Sequence, residues 1–217
     1  ITYRSQADAA AEVVQQVQAL GRRALALPLD VADSSAFPAF ATQLHDALQQ
    51  WGVTGLQGLL NNAGEALYAP IAETTEAQFD HAVAVHLKGP YFLTQALLPL
   101  IADGGRILNV SSGLARFSLP GSSAYAMMKG GIEVFTRYLA KELGARGISA
   151  NTLAPVNAMA MTSRPSTRLN SMHSPTTAQR VGAMVVSFIP SASVVTLIRH
   201  PSNLIVMRAG NACLPRC

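Results

Sequence analysis

The sequence predicts an α/β protein built on a doubly wound parallel sheet, and two observations carry that expectation. Short apolar runs rich in β-branched residues alternate with longer amphipathic stretches from Ile1 to Leu153. Alternation at this spacing is satisfied by parallel strands joined through crossover helices that cover both faces of the sheet. The chain is also long enough, at 217 residues and 49% hydrophobic, to bury one sizeable core.

Ile1-Thr2-Tyr3-Arg4 is β-branched and aromatic, like the end of a buried strand. Ala7 to Leu20 follows as a helix with Val13, Val17 and Leu20 on one stripe, and Gly21 suits the position that closes it. Ala24 to Asp30 reads as a strand ending in an acid, and Ser34 to Trp51 as a second helix. Leu56 to Leu60 is the third strand and runs into Asn61-Asn62-Ala63-Gly64. Thr75-x-x-Gln78 has the spacing of a capping box and opens a long helix to about Ile101, with Pro99 near its end. Asp103-Gly104-Gly105 turns the chain into a strand from Arg106 to Val110. A loop from Ser111 to Pro120 leads to a helix from about Ser122 to Leu143, and Ile148 to Leu153 is the last strand expected. Beyond Pro155, Ser, Thr, Pro and Arg dominate Thr162 to Arg180 and no caps mark a helix or strand. Two regions are therefore expected: a folded domain over residues 1–155, and a tail over 156–217 that is either disordered or read in a shifted frame.

The net charge of +4 is unevenly spread. Residues 1–160 carry ten Lys/Arg against twelve Asp/Glu, a net −2, whereas residues 161–217 carry six Arg and no acid. Those Arg residues are scattered, without the clustered basic face or interleaved aromatics of a nucleic-acid groove, so no nucleic-acid partner is expected. Val181 to Ile198 is uncharged and about long enough to cross a bilayer. Pro190, Ser187, Ser191 and Ser193 interrupt it, and no membrane span is expected. Cys213 and Cys217 make neither a disulfide framework nor a metal site, and no secretory signal opens the chain. A reducing cytoplasm is the compartment that follows.

The residues with the strongest chemical content are Ser112, Tyr125 and Lys129. Tyr125 and Lys129 stand four apart at the start of a helix and so project from one face. Ser112 ends a strand thirteen residues earlier, where a loop can return it beside the tyrosine. Reduction of a carbonyl needs a proton donor for its oxygen. A free tyrosine, with a pKa of about 10, is a poor acid–base at neutral pH. A nearby ammonium favours the phenolate and lowers that value, and a serine hydroxyl can fix the substrate oxygen. Alone, a Tyr-x-x-x-Lys pair is also what an exposed helix with a solvated lysine looks like.

Taken together and in this order, Asn61-Asn62-Ala63-Gly64, Asn109-Val110-Ser111-Ser112, Tyr125-x-x-x-Lys129 and Ile148 to Pro155 resemble the short-chain dehydrogenase/reductase family, closest to its 3-oxoacyl-carrier-protein reductase-like members. The resemblance runs from Ile1 to about Pro155. It implies a Rossmann-like sheet and an oxidoreductase that interconverts a ketone and a secondary alcohol by hydride transfer. Tyr125 would be the acid/base, Lys129 would hold the nicotinamide ribose and tune Tyr125, and Ser112 would orient the carbonyl. Asn61, Ala63, Gly64 and Pro155 would border the cofactor, with Asp30-Val31 against its adenine. That is where ligands sit in open α/β sheets generally. Arg4 follows the second strand, where an acid would bond the ribose 2′-hydroxyl of NAD(H). A guanidinium there suits a 2′-phosphate, so NADP(H) is favoured, the other reading being a plain surface arginine. The family's oligomers imply a dimer or tetramer built through the two long helices.

The chain also departs from the family. It opens at what resembles the second strand, so the first strand, its Gly-rich turn and first helix are expected to be missing from the middle of the sheet. The neighbouring strands would lose ladder partners, and cofactor binding would be weak. His86 stands where the family usually has a catalytic Asn, either as a structural histidine or in that residue's place. Pro155-Val156 replaces the usual Pro-Gly, and no final helix and strand are recognisable. The sequence thus leaves open an incomplete, inactive member acting only through helix-mediated association. A serine hydrolase is disfavoured, because no G-x-S-x-G elbow exists.

Overall fold

The computed structural model describes residues 1–155 and three further short strands at 183–186, 198–200 and 203–205. Its core forms around the most apolar strand. β1 (Thr2–Tyr3) and β2 (Leu27–Pro28) are short, whereas β3 (Leu56–Asn61) buries Leu56, Leu59 and Leu60 almost completely, as a strand covered on both faces must. β4 (Ile101–Val110) lies parallel to β3, placing Leu59 beside Ile107 and Asn61 beside Asn109. β5 (Ser149–Leu153) continues the parallel sheet beyond β4.

The helices supply the rest of one apolar cluster. After α1 (Ala7–Ala19), α2 (Phe37–Gln50) contributes Phe37, Phe40, Leu44 and Leu48. α4 (Gly89–Leu97) adds Leu93 and Leu97 and packs on α2, while α5 (Ser123–Glu142) adds Leu139 and packs along β4 and β5. Each fully buried leucine or phenylalanine contributes roughly 1.5–3 kcal/mol.

Four sequence expectations change. The strand expected from Ala24 shrinks to Leu27–Pro28, paired in parallel with β1 in a separate two-stranded piece. Proline has no N–H to extend such a ladder. The long helix after the Thr75–Gln78 capping box does form its box, but it is broken into α3 (Glu76–Val83), a wide π-type turn at Ala84–Lys88, and α4. Pro90 cannot give an N–H to the carbonyl of His86 four residues back, and widening the turn relieves the resulting clash. The strand expected from Arg106 starts at Ile101, with its register shifted opposite Leu56 and Gly58 and Gly104 at φ 75°.

The fourth change is the largest. The edge of β3 expected to be bare carries β6 (Ala183–Val186), parallel and in register from Leu56–Ala183 to Leu60–Val186. The order of the main sheet is β5-β4-β3-β6. A strand therefore comes from the region where none was expected. It satisfies the ladder groups of the central strand, which an apolar interior would otherwise leave unpaired. A second unit contains β7 (Ile198–His200) antiparallel to β8 (Asn203–Ile205). The cysteines and Thr162 to Arg180 lie outside the described residues.

Candidate active site

β4 ends at Val110 and the chain turns sharply, so Ser112 caps a short 3-10 turn at Gly113–Ala115 with its hydroxyl oxygen accepting from the Leu114 N–H (3.2 Å). The same side chain stands near enough to the Tyr125 phenol, at the start of α5, to lower its pKa. Burial raises the Tyr125 pKa above its ordinary value of 10.0, and the Ser112 side chain opposes that rise. This reverses the expected direction. Lys129 stands 5.5 Å from the Tyr125 ring centre, but its ammonium donates to the Val110 carbonyl oxygen (2.8 Å) and is itself buried. Desolvation lowers the Lys129 pKa from 10.5 to about 8.

The wide turn before α4 carries His86 inward, 2% exposed, edge-on to Tyr125 at 5.2 Å between ring centres. Its Nε2 lies 2.8 Å from the Glu65 carbonyl oxygen, while its Nδ1 is buried without a hydrogen-bond partner. Burial first, and the Lys129 charge second, push its pKa from 6.5 to about 4, so the ring is neutral at physiological pH. Gly64 is what lets these groups converge. A Cβ there would stand 2.8 Å from His86 Cε1, 3.2 Å from His86 Nδ1 and 3.7 Å from Lys129 Nζ.

The remaining sequence candidates are held by differing partners. Arg4 pairs with the Glu65 carboxylate (3.3 Å), which also bonds His81 Nε2 (2.5 Å). His81, first, and Arg4 hold the Glu65 pKa below its usual value. Asp30 accepts from the Ala32 N–H (2.9 Å), Val31 is 6% exposed in the core, and Ala63 packs against the core. The Pro155 carbonyl accepts from Gly113 N–H (2.9 Å), tying the strand after β5 to the Ser112 turn. Asn61 turns inward. Expected to border the cofactor, its side chain is drawn into the core, donating to Asn109 Oδ1 (2.8 Å) and Thr94 Oγ1 (3.1 Å). Asn109 in turn donates to Thr136 Oγ1 (2.9 Å), so one buried polar chain links β3, β4, α4 and α5. Buried amides are retained only when so paired.

Sequence reasoning missed Glu133 and Arg116. Glu133 Oε1 accepts from Ser111 Oγ (3.0 Å) and its other oxygen from Arg116 (3.1 Å), clamping the Ser112 turn to α5. The available signal was spacing: Glu133 repeats the four-residue step of Tyr125 and Lys129 along one helix face. Among the described residues no group of His, Cys, Asp and Glu could hold a metal, and no helix is long and apolar enough to cross a membrane.

Known proteins are similar to this chain in sequence and fold. The family described as enoyl-(acyl carrier protein) reductase matches residues 1–194. A short chain dehydrogenase/reductase of Aspergillus aculeatus is 33% identical over 156 residues, 71% of this chain and 57% of that protein. A hydroxynaphthalene reductase of Aspergillus fumigatus is 32% identical, over 71% and 55%. The crystal structure of a landomycin C-6 ketoreductase with bound NADP and rabelomycin superposes with a TM-score of 0.69 at 36% identity, covering 71% of this chain and 64% of that one. This chain thus spans little more than half the length of those curated relatives. On the match to the family and the identity to its members, the chain belongs to the short-chain dehydrogenase/reductase family.

Proposed function

We propose that this protein is an NADP(H)-dependent reductase that converts a ketone to a secondary alcohol, with Tyr125 as the proton donor. The observation that carries this reading is the meeting of Tyr125 with Ser112 and Lys129 at the carboxyl end of β4. Ser112 hydrogen-bonds the carbonyl oxygen and orients it toward the phenol, which hands over its proton as negative charge develops there. Lys129, a cation against the ring face, restrains the phenolate left behind.

The residues present fit the adenine and nicotinamide ends of a dinucleotide, while the sequence offers no Gly-rich turn for its pyrophosphate. Gly64 leaves open the space beside Lys129 that a Cβ would fill, and Arg4 offers a half-exposed guanidinium. Arg4, Asp30, Val31, Ala63, Gly64, Lys129 and Pro155 would hold it, Arg4 exchanging the Glu65 carboxylate for a 2′-phosphate. When bound, the reduced nicotinamide supplies the hydride. The NADP carried by the landomycin C-6 ketoreductase supports that preference. The names of the relatives, a hydroxynaphthalene reductase and a ketoreductase with rabelomycin bound, favour an aromatic ketone. An exposed Tyr68 ring over Gly121, at the approach to α5, offers such a substrate a flat apolar contact.

Association between copies through α4 and α5 accompanies this reading, because Tyr91, Phe92, Val134 and Tyr138 are exposed on those helices. A cytoplasmic setting goes with the same reading. The test is NADPH oxidation with a panel of naphthalenone and angucycline-type ketones. Tyr125→Phe is expected to lose roughly 10²–10⁴-fold in kcat with unchanged circular dichroism. Turnover retained by the Phe variant would overturn the assignment.

A further inference from the structure

Ser112 takes its direction from the residue before it. Ser111 is 2% exposed, and its hydroxyl oxygen lies 3.0 Å from each of two acceptors, the Lys129 carbonyl oxygen and Glu133 Oε1. A hydroxyl has one proton to give, so the two acceptors share it. They stand one helical turn apart on α5, so the end of β4 is pinned to the turn that begins at Lys129. Ser112 itself has extended backbone (φ −153°, ψ 151°). In such backbone the side chains of neighbouring residues alternate in a fixed way, so the direction of Ser111 sets that of Ser112.

Glu133 is the charged member of this arrangement. Its side chain is 15% exposed, and Oε2 accepts from Arg116 (3.1 Å), which is 71% exposed. One carboxylate therefore holds residues 111 and 116, on either side of the turn that Ser112 caps. The two arms are unequal. A bond from a buried hydroxyl to a carboxylate is charge-assisted and strong. An ion pair with an exposed arginine is screened by water and contributes little.

We propose that Glu133 is a positioning residue for Ser112, its carboxylate holding the Ser111 hydroxyl against α5 and thereby aiming the Ser112 hydroxyl. The effect on turnover rests on the reading of Ser112 as the group that orients the carbonyl, but the restraint on the turn does not.

Amide exchange of the full chain, followed by nuclear magnetic resonance, tests the restraint without turnover. The Leu114 N–H is the reporter, because it donates to Ser112 Oγ. Glu133→Ala should speed its exchange about tenfold and leave Leu56–Asn61, in the core of the sheet, unchanged. Glu133→Gln keeps an oxygen for Ser111 and gives up only the exposed arm, so it should stay within about threefold of the parent. Glu133→Asp keeps the charge but is one methylene too short to reach Ser111, and should loosen Leu114 as the Ala variant does. Ser111→Ala should match Glu133→Ala, and the double variant should be no worse than either, because the same bond is broken each time. With an active parent, Glu133→Ala should lower kcat about tenfold at unchanged KM for NADPH, and the Gln variant should recover most of that loss. Unchanged Leu114 exchange in the Ala or Asp variant, a Gln variant as impaired as Ala, or additive losses in the double variant would overturn the proposal. Absence of ketone reduction by the parent would instead count against the proposed function, and exchange at Leu114 would still decide the role of Glu133. Should the Ala variants fail to fold, the contrast between Asp and Gln carries the decision.

Discussion

At the scale of single residues, the site combines groups that are individually unfavourable. Lys129 is 5% exposed and donates to a backbone carbonyl rather than to a carboxylate. Its folded pKa, about 8, lies below the free value of 10.5. The folded state therefore binds fewer protons than the unfolded chain between those values, and stability rises with pH through that window. Below about pH 8 the whole penalty of burying the charge is felt. Lys129→Met should accordingly stabilise the fold at pH 7, on the order of 1–3 kcal/mol, while abolishing reduction. Urea melts should show that gain shrinking from pH 8 to 10.5, and a Met variant less stable than the parent at pH 7 would contradict it. The sign of the Tyr125 shift teaches the same lesson. Sequence spacing puts an ammonium near the phenol, but burial is a tertiary quantity, and here it outweighs the Ser112 side chain that opposes the rise.

At the scale of elements, the candidate residues are placed by turns and breaks rather than by regular structure. Tyr125, Lys129 and Glu133 share a face of α5 because of helical periodicity, which was legible. The inward turn of His86 depends on the π-type widening before Pro90, and the proline alone did not announce it. Asn61 was read as a cofactor contact from its motif, yet its amide serves the buried chain to Asn109 and Thr94, a partnership between residues 33 and 48 positions apart. Gly89 marks the tightest approach. A Cβ at that position would stand 2.3 Å from the Val31 carbonyl oxygen and 3.0 Å from that of Ala84. Gly89→Ala must push α4 away from the Val31 turn, at a cost of about 1–3 kcal/mol. A lowered thermal midpoint is expected, together with weaker binding of NADPH through the displaced Asp30-Val31 segment. An alanine variant with unchanged stability would show that the turn yields freely.

At the scale of the whole molecule, the parallel sheet between β5 and β3 followed from the alternation of elements, because each strand and helix has one apolar side to bury and few architectures bury them all. The motif residues around Ser112, Tyr125 and Lys129 were legible for a related reason: helical spacing and strand ends are local properties of the chain. What closes the far edge of β3 was not. Ala183–Val186 carries no cap or turn signal of its own, and only a waiting ladder gives it a place. Stopping the chain after Pro155 should therefore speed amide exchange in Leu56–Asn61 by at least tenfold, the loss of one neighbouring ladder, while α2 and α4 change little. Equal protection in both chains would refute the pairing. Local pattern by itself thus determined the class of fold, the family and the candidate side chains. The tertiary structure alone decided which polar groups are buried, which way their pKa values move, which amides turn inward and which segment pairs with β3. Those outcomes depend on desolvation and on partners far apart in the chain, and neither is written in the spacing of neighbouring residues.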